Sequence, residues 1–326
     1  MDAKRITTGI MAGLLAATLL AGCGGGGGKS SGGSGQPPAK PAATGPAVPQ
    51  RAAVSTAPAM TFNFAGREAK VYEIKGDATK DIKSIGGNLV ATKDAIYVHG
   101  KQAAGGDNTQ YLWKVAYSHE NLTGAEPIAP SLAVHFLATN GKDIYFQDAD
   151  HNFAVYDGKT VRTGKKWDGN VIFGAPDGGK DVYYVKNGSL MKFPSDDAAK
   201  STTIFEGITV YGAAIAYADG KEFYVRGAIK QDGSTKEKPI LIAYDAQGKE
   251  LRRFEGVEEL PRDWTVTTNY IIHAGSKGVL RIFDRATGNK LDEVTIKVRP
   301  FELFTVTGND VIMYDDRAKK LYRIDF

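Results

Sequence analysis

The sequence predicts an all-β fold in which six four-stranded sheets close into a ring. Three observations predict it. A strand motif recurs about every forty residues, tyrosine-rich strands stand ahead of that motif behind turn residues, and a spare strand at the front of the folded region matches one missing at its end. A four-strand unit repeated at this spacing is the signature of a β-propeller blade. The expected fold is therefore an all-β, six-bladed β-propeller, its last blade closed by an N-terminal strand.

The recurring motif is Leu or Phe followed three residues later by an apolar or aromatic residue, often with Asp next. Its six copies are Leu112–Val115, Phe153–Asp157, Leu190–Phe193, Leu241–Asp245, Leu280–Asp284 and Leu321–Asp325. Their first positions are separated by 41, 37, 51, 39 and 41 residues. The tyrosine-rich strands begin at Lys93-Asp-Ala-Ile-Tyr97, Gly141-Lys-Asp-Ile-Tyr145, Gly179-Lys-Asp-Val-Tyr183 and Gly220-Lys-Glu-Phe-Tyr224. Asn269–Ile272 and Asn309–Ile312 take the same slot in the last two units.

Unit four shows the four strands most plainly, as Gly212–Tyr217, Glu222–Arg226, Pro239–Asp245 and Glu250–Glu255. Turns such as Ala218-Asp-Gly220 and Ala246-Gln-Gly248 carry the small and Asx residues that hairpins require. The last unit ends at Phe326 after its third strand, and Lys70-Val-Tyr-Glu-Ile74 precedes the first unit. That spare strand completes the final blade, so that it leaves no strand missing. Residues 61–326 form the propeller domain in this reading. Its one irregularity is a polar insertion, Ile229–Lys238, which lengthens a hairpin in unit four and accounts for the interval of 51.

The segments Gly278-Val-Leu-Arg-Ile-Phe-Asp-Arg-Ala-Thr-Gly288 and Ile240-Leu-Ile-Ala-Tyr-Asp-Ala-Gln-Gly248 resemble the blade motif of quinoprotein-like and WD40-like repeat propellers. The resemblance implies that each Asp turns back on its own hairpin. The family's docking tryptophan has no counterpart, because Trp113, Trp167 and Trp264 occupy inequivalent positions. The likeness therefore extends to the fold and not to a bound quinone.

The N-terminus carries a different message. Lys4 and Arg5 precede an apolar run from Ile10 to Leu20, then Ala21 and Gly22, the parts of a secretory signal over residues 1–22. The run is too short to span a bilayer. Leu20-Ala21-Gly22-Cys23 resembles the lipobox of bacterial lipoproteins and holds the chain's one cysteine. The resemblance implies cleavage before Cys23 and its lipidation with a diacylglyceryl group and often a third chain, and thus permanent membrane anchoring. An exported chain with an unmodified Cys23 would carry an exposed reactive thiol. Gly24, rather than Asp, favours the outer membrane if the host has two membranes. Residues 23–60 continue as a Gly/Ser-rich and then Pro/Ala-rich tether, without the apolar residues a core requires. As a coil of roughly 36 residues it spans about 35 Å.

No catalytic motif stands out. The histidines His99, His119, His135, His151 and His273 show no zinc-ligand spacing, and each reads as a loop or strand-edge residue. Asp148-Ala-Asp150-His-Asn152 starts like a calcium loop, but Phe153 stands where Gly is needed and Lys159 where the closing Glu is needed. It reads as a hairpin turn, as does Asp315-Asp316. There is no nucleophile elbow and no phosphate-binding loop. A net charge of +4 without patterning argues against nucleic acid as a partner.

These features predict a lipid-anchored envelope or cell-surface propeller acting as a non-catalytic protein-binding or scaffold module. Its partner would be a protein or an envelope polymer, with no cofactor and no metal. Two alternatives are a metal-dependent hydrolase or lactonase with its site in the central channel, and a structural subunit of a surface assembly. Cys23 is the one site residue named, for lipidation.

Overall fold

The computed structural model describes residues 57–103, 109–118, 121–131, 137–168, 170–175, 178–230, 237–255, 263–298, 300–305, 310–315 and 317–326. The chain divides into Met1–Ala52 and Ala53–Phe326, and every described residue belongs to the second unit.

That unit is a six-bladed β-propeller. A hairpin of β1 (Met60–Phe64) and β2 (Arg67–Ile74) comes first. Blade one is β3 (Ile82–Ala91), β4 (Ala95–Gln102), β5 (Gln110–Ser118) and β6 (Asn121–Pro130). Blade two is β7 (Leu137–Thr139), β8 (Ile144–Gln147), β9 (Asn152–Tyr156) and β10 (Val161–Lys166). Blade three is β11 (Ile172–Gly174), β12 (Asp181–Lys186), β13 (Ser189–Pro194) and β14 (Thr202–Glu206). Blade four is β15 (Tyr211–Ala218), β16 (Glu222–Lys230), β17 (Glu237–Asp245) and β18 (Glu250–Glu255). Blade five is β19 (Asp263–Val266), β20 (Tyr270–Ala274), β21 (Val279–Asp284) and β22 (Lys290–Thr295). Blade six adds β23 (Pro300–Thr305), β24 (Asp310–Asp315) and β25 (Lys320–Asp325).

Each of the first five blades is an antiparallel meander in chain order. The first strands β3, β7, β11, β15, β19 and β23 stand side by side, and β23 returns to β3, so the ring is closed. At its centre β11 runs tight against β7. A Cβ on Gly174 would lie 2.7 Å from the Thr139 carbonyl and from the Tyr145 ring, so this position admits no side chain.

The sixth sheet has the order β1-β2-β25-β24-β23. The predicted closing strand is present as β2, with Lys70 opposite Asp325 and Ile74 opposite Leu321. Met60–Phe64, where the sequence places the junction of tether and propeller domain and predicts no strand, forms a fifth strand at the edge of this blade. Its turn has Ala65 at φ 46° and Gly66 at φ 76°, the two positive values that a two-residue hairpin of matching twist requires. The turn also reaches blade five. The Ala65 N–H donates to Asp292 Oδ2 at 3.0 Å, and Arg67 donates to the Tyr270 hydroxyl. Phe64 meets Tyr270 edge-on at 5.5 Å and Phe326 at 5.7 Å. The hairpin therefore clasps two blades.

The core is six clusters, one in each seam between neighbouring blades. The alternation of strand side chains explains how one strand feeds two seams. On β8, Ile144 and Phe146 face blade one, while Tyr145 faces blade three. On β24, Val311 and Met313 face blade five, while Ile312 and Tyr314 face blade one. A strand buried on both faces needs apolar residues at every position, which is why these strands read as unbroken apolar runs.

Candidate functional site on blade four

Blade four contains the irregularity seen in the sequence. β16 and β17 extend into the insertion, and pairing continues through Ile229 with Lys238 and Lys230 with Glu237. Lys238 forms an ion pair with Glu255 on β18, bracing the base of this long hairpin. Beside it, β15 begins with Tyr211, which is 53% exposed. The Lys230 ammonium lies 5.1 Å from the Tyr211 ring centroid, within cation–π range.

Local backbone geometry presents Tyr211 to solvent. The β15–β16 register slips between Tyr211 and Ala214, and Gly212 has φ 58°. Gly227, opposite, makes room: a Cβ there would lie 2.6 Å from Val210 Cγ2 and 2.9 Å from the Tyr211 carbonyl oxygen. Val210 is buried beneath, in the seam with blade three. The result is an exposed aromatic beside a cation, on an inner strand and next to the extended β16–β17 pairing. Such a surface suits an apolar or anionic feature of a partner.

The opposite end of the same blade is an internal staple. Arg285, in the β21–β22 turn, donates to the Tyr224 hydroxyl at 3.1 Å, the Thr267 carbonyl at 3.0 Å and Asp219 at 3.1 Å. Its guanidinium lies 4.5 Å from the Tyr217 ring centroid and 5.2 Å from that of Tyr224. Tyr224 donates to Glu222 at 2.7 Å, and Arg252 pairs with the same carboxylate. Burial opposes charge on both members, but the hydrogen bonds and opposite charges outweigh it. Glu222 is held below its ordinary carboxylate range and Arg285 above its ordinary value. Arg285 thereby ties blade five to blade four, beside the seam cluster that holds Trp264.

The predicted hairpin aspartates take their expected turn role. Asp284 accepts from the Thr287 N–H at 2.7 Å and its hydroxyl at 2.8 Å, and Asp245 accepts from Gln247 and Lys249 N–H groups at 2.9 Å. Asp148 accepts from the Asp150 and Asn152 N–H groups, so the calcium-like segment is the β8–β9 turn. Asp315 serves Arg317 and Ala318 likewise. Among the described residues, no three His, Cys, Asp or Glu side chains group as metal ligands, and no helix is long and apolar enough to cross a membrane.

The expectation for the histidines needs correction. Among those described, only His151 lies in a turn, at φ 66°. His99 and His273 are buried in second strands, at 1% and 0% exposure. His99 Nδ1 lies 2.9 Å from the Ser131 hydroxyl. His273 packs on Trp264 with ring centroids 4.4 Å apart, and among the described residues neither of its ring nitrogens has a hydrogen-bond partner. Burial, with Arg281 adding repulsion, lowers its pKa to about 3. His119, His135 and the lipidation residue Cys23 lie outside the described residues.

The insertion was legible in the sequence, but Tyr211 was not. The one available signal was Gly227, a glycine inside a strand, which marks a bulge or a close backbone approach.

No protein-family model matches the chain, and no curated protein matches it. Solved structures similar to it include the WD40 β-propeller domain of Doa1, at 12% identity and TM-score 0.47, covering 78% of this chain and 95% of that one. U3-55K is similar at 11% identity and TM-score 0.48, covering 78% and 98%. The computationally designed Ika8 protein is similar at 11% identity and TM-score 0.38, covering 72% and 81%.

Proposed function

We propose that this chain is an exported lipoprotein, acylated at Cys23, whose propeller binds a partner protein in the envelope or at the cell surface without catalysing a reaction. Where the host has two membranes, the anchor is in the outer one. The lipobox and the tether composition support the anchor. The observation that carries the binding role is the blade-four surface, where Gly227 and the β15 bulge hold Tyr211 outward beneath Lys230. Exposed tyrosines on rigid backbone are common anchors of protein interfaces.

The test is capture of partners from native envelopes with the wild-type protein and with Tyr211→Ser and Lys230→Ser variants. A variant at Leu251, exposed at the other end of the blade, is the control. Loss of an interface anchor weakens binding by about thirty-fold or more. Undiminished capture by Tyr211→Ser refutes the assignment of this surface. Cys23→Ala should move the protein from the membrane to the soluble fraction; retention in the membrane refutes the anchor.

A further inference from the structure

The outer strand of blade two differs from the other outermost strands. All six residues of β10, Val161-Arg-Thr-Gly-Lys-Lys166, are exposed. With Lys159 in the preceding turn, the segment carries four cations in eight residues. Among the described residues, none of these four forms an ion pair. The other outermost strands with cations neutralise them: Arg252 pairs with Glu222, Arg253 with Glu250 and Lys290 with Glu293. Asp157, the carboxylate just ahead of β10, is turned into its own hairpin and accepts from the Lys159 and Thr160 N–H groups.

Lysines and bulges also protect sheet edges from pairing with other chains. Here the bulge is a shared device. The register slips between the third and fourth strands of blades one to five alike. Among the described outermost strands, cations without an ion pair are found on β10 alone, so edge protection accounts for the distortion and not for this cluster of cations.

We propose that β10 docks on an anionic lipid surface. The strand runs for about 20 Å along an outer edge. A plane of phosphate headgroups can reach several cations on such an edge together, whereas a compact anion would need a concave site. Val161, 36% exposed at its start, adds an apolar contact. The choice of a bilayer over a soluble polyanion rests on the lipid anchor proposed above. The anchor holds the propeller near a membrane, and β10 then selects which part of its rim meets it.

The test uses the body Ala53–Phe326, which lacks Cys23 and contains the whole ring and all six core clusters. It is mixed with vesicles of phosphatidylcholine alone or with phosphatidylglycerol, at about 50 mM and about 500 mM salt. Binding is expected on the anionic vesicles at low salt, with loss at high salt. Each cation near the surface contributes roughly five-fold, so Lys159→Gln, Arg162→Gln, Lys165→Gln and Lys166→Gln together should weaken binding several hundred-fold. Removing the same charge at the turns, by Lys93→Gln, Lys142→Gln, Lys221→Gln and Lys249→Gln, should leave most of it. Equal losses from the two sets overturn the proposal in favour of general net charge. Binding to soluble polyphosphate without binding to vesicles overturns it as well. So does self-association of the β10 variant with unchanged vesicle binding, which would make the strand edge protection only. Because Cys23 is absent, a failure here is separate from a failure of the anchor, which the Cys23→Ala fractionation reads.

Discussion

Acidification should destabilise the propeller through its paired carboxylates and, separably, through His273. Its side chain is fully buried in blade five, with neither ring nitrogen hydrogen-bonded among the described residues. Its pKa is lowered from 6.5 to about 3 by burial and by Arg281, with Glu293 opposing weakly. The unfolded chain therefore binds a proton below pH 6.5 that the folded protein refuses. The stabilising effect is fully present above the unfolded value and is lost as pH falls toward the folded one. Each pH unit in that window costs about 1.4 kcal/mol, so two units cost about 2.7 kcal/mol, a large share of a typical folding free energy of about 5–15 kcal/mol. His273→Leu removes the titration and two unpartnered polar atoms. It should raise stability near pH 7.5 by about 1 kcal/mol and flatten the fall between about pH 6.5 and 4.5. Urea unfolding of both proteins across that range measures the difference, which cancels the carboxylates common to both. Parallel pH curves for wild type and variant would refute the reasoning.

Other outcomes follow from the seams and the closure. Ala65→Asn should stabilise the body by about 0.5–1 kcal/mol, because Asn tolerates the left-handed backbone of this turn and keeps the N–H that binds Asp292; a lower melting temperature contradicts that turn. Arg285→Gln should cost about 2–3 kcal/mol in urea unfolding, since Glu222 and Asp219 lose a buried cation, and Arg285→Lys should recover only part of it. Removing residues 57–64 should leave a closed, cooperatively folded ring weakened by about 3 kcal/mol through loss of buried Phe64. Removing residues 57–74 also takes away β2, and the last blade should then lose cooperative unfolding, read by comparing fluorescence with circular dichroism.

The second and third strands of each blade were legible because both of their faces are buried. Runs such as Ile144-Tyr-Phe146 and Val311-Ile-Met-Tyr314 leave little choice but a strand between two seams. The closing strand was legible because Lys70–Ile74 is a strand ahead of the first repeat that no repeat uses, and it pairs with β25. β1 escaped notice although Met60, Phe62 and Phe64 alternate with polar residues. It follows a Pro/Ala-rich segment, and its partner surface on Tyr270 and Phe326 comes from the far end of the sequence. His273 was misplaced for a related reason. A histidine is usually read as wet, and only the contact with Trp264 reveals a dry one. The binding surface was legible as a loop insertion. The exposure of Tyr211 depends on a bulge and a glycine from two strands, which a linear pattern does not encode.

The pairing of β2 with β25 also sets an order of events in time. Residues near the two ends of the body must meet before the ring is complete. Contacts between such distant residues close a long loop and form slowly. Until then β2 has an open edge on the side that β25 will occupy, and the seam between blades six and one lacks Ile74 and Leu321 together. β2 therefore stays unpaired on that side until β25 has been made. Completion of the last blade thus depends on contacts among the longest in range in the body, those of β2 with β25, and the clasp of β1 onto blade five adds a second set of the same kind.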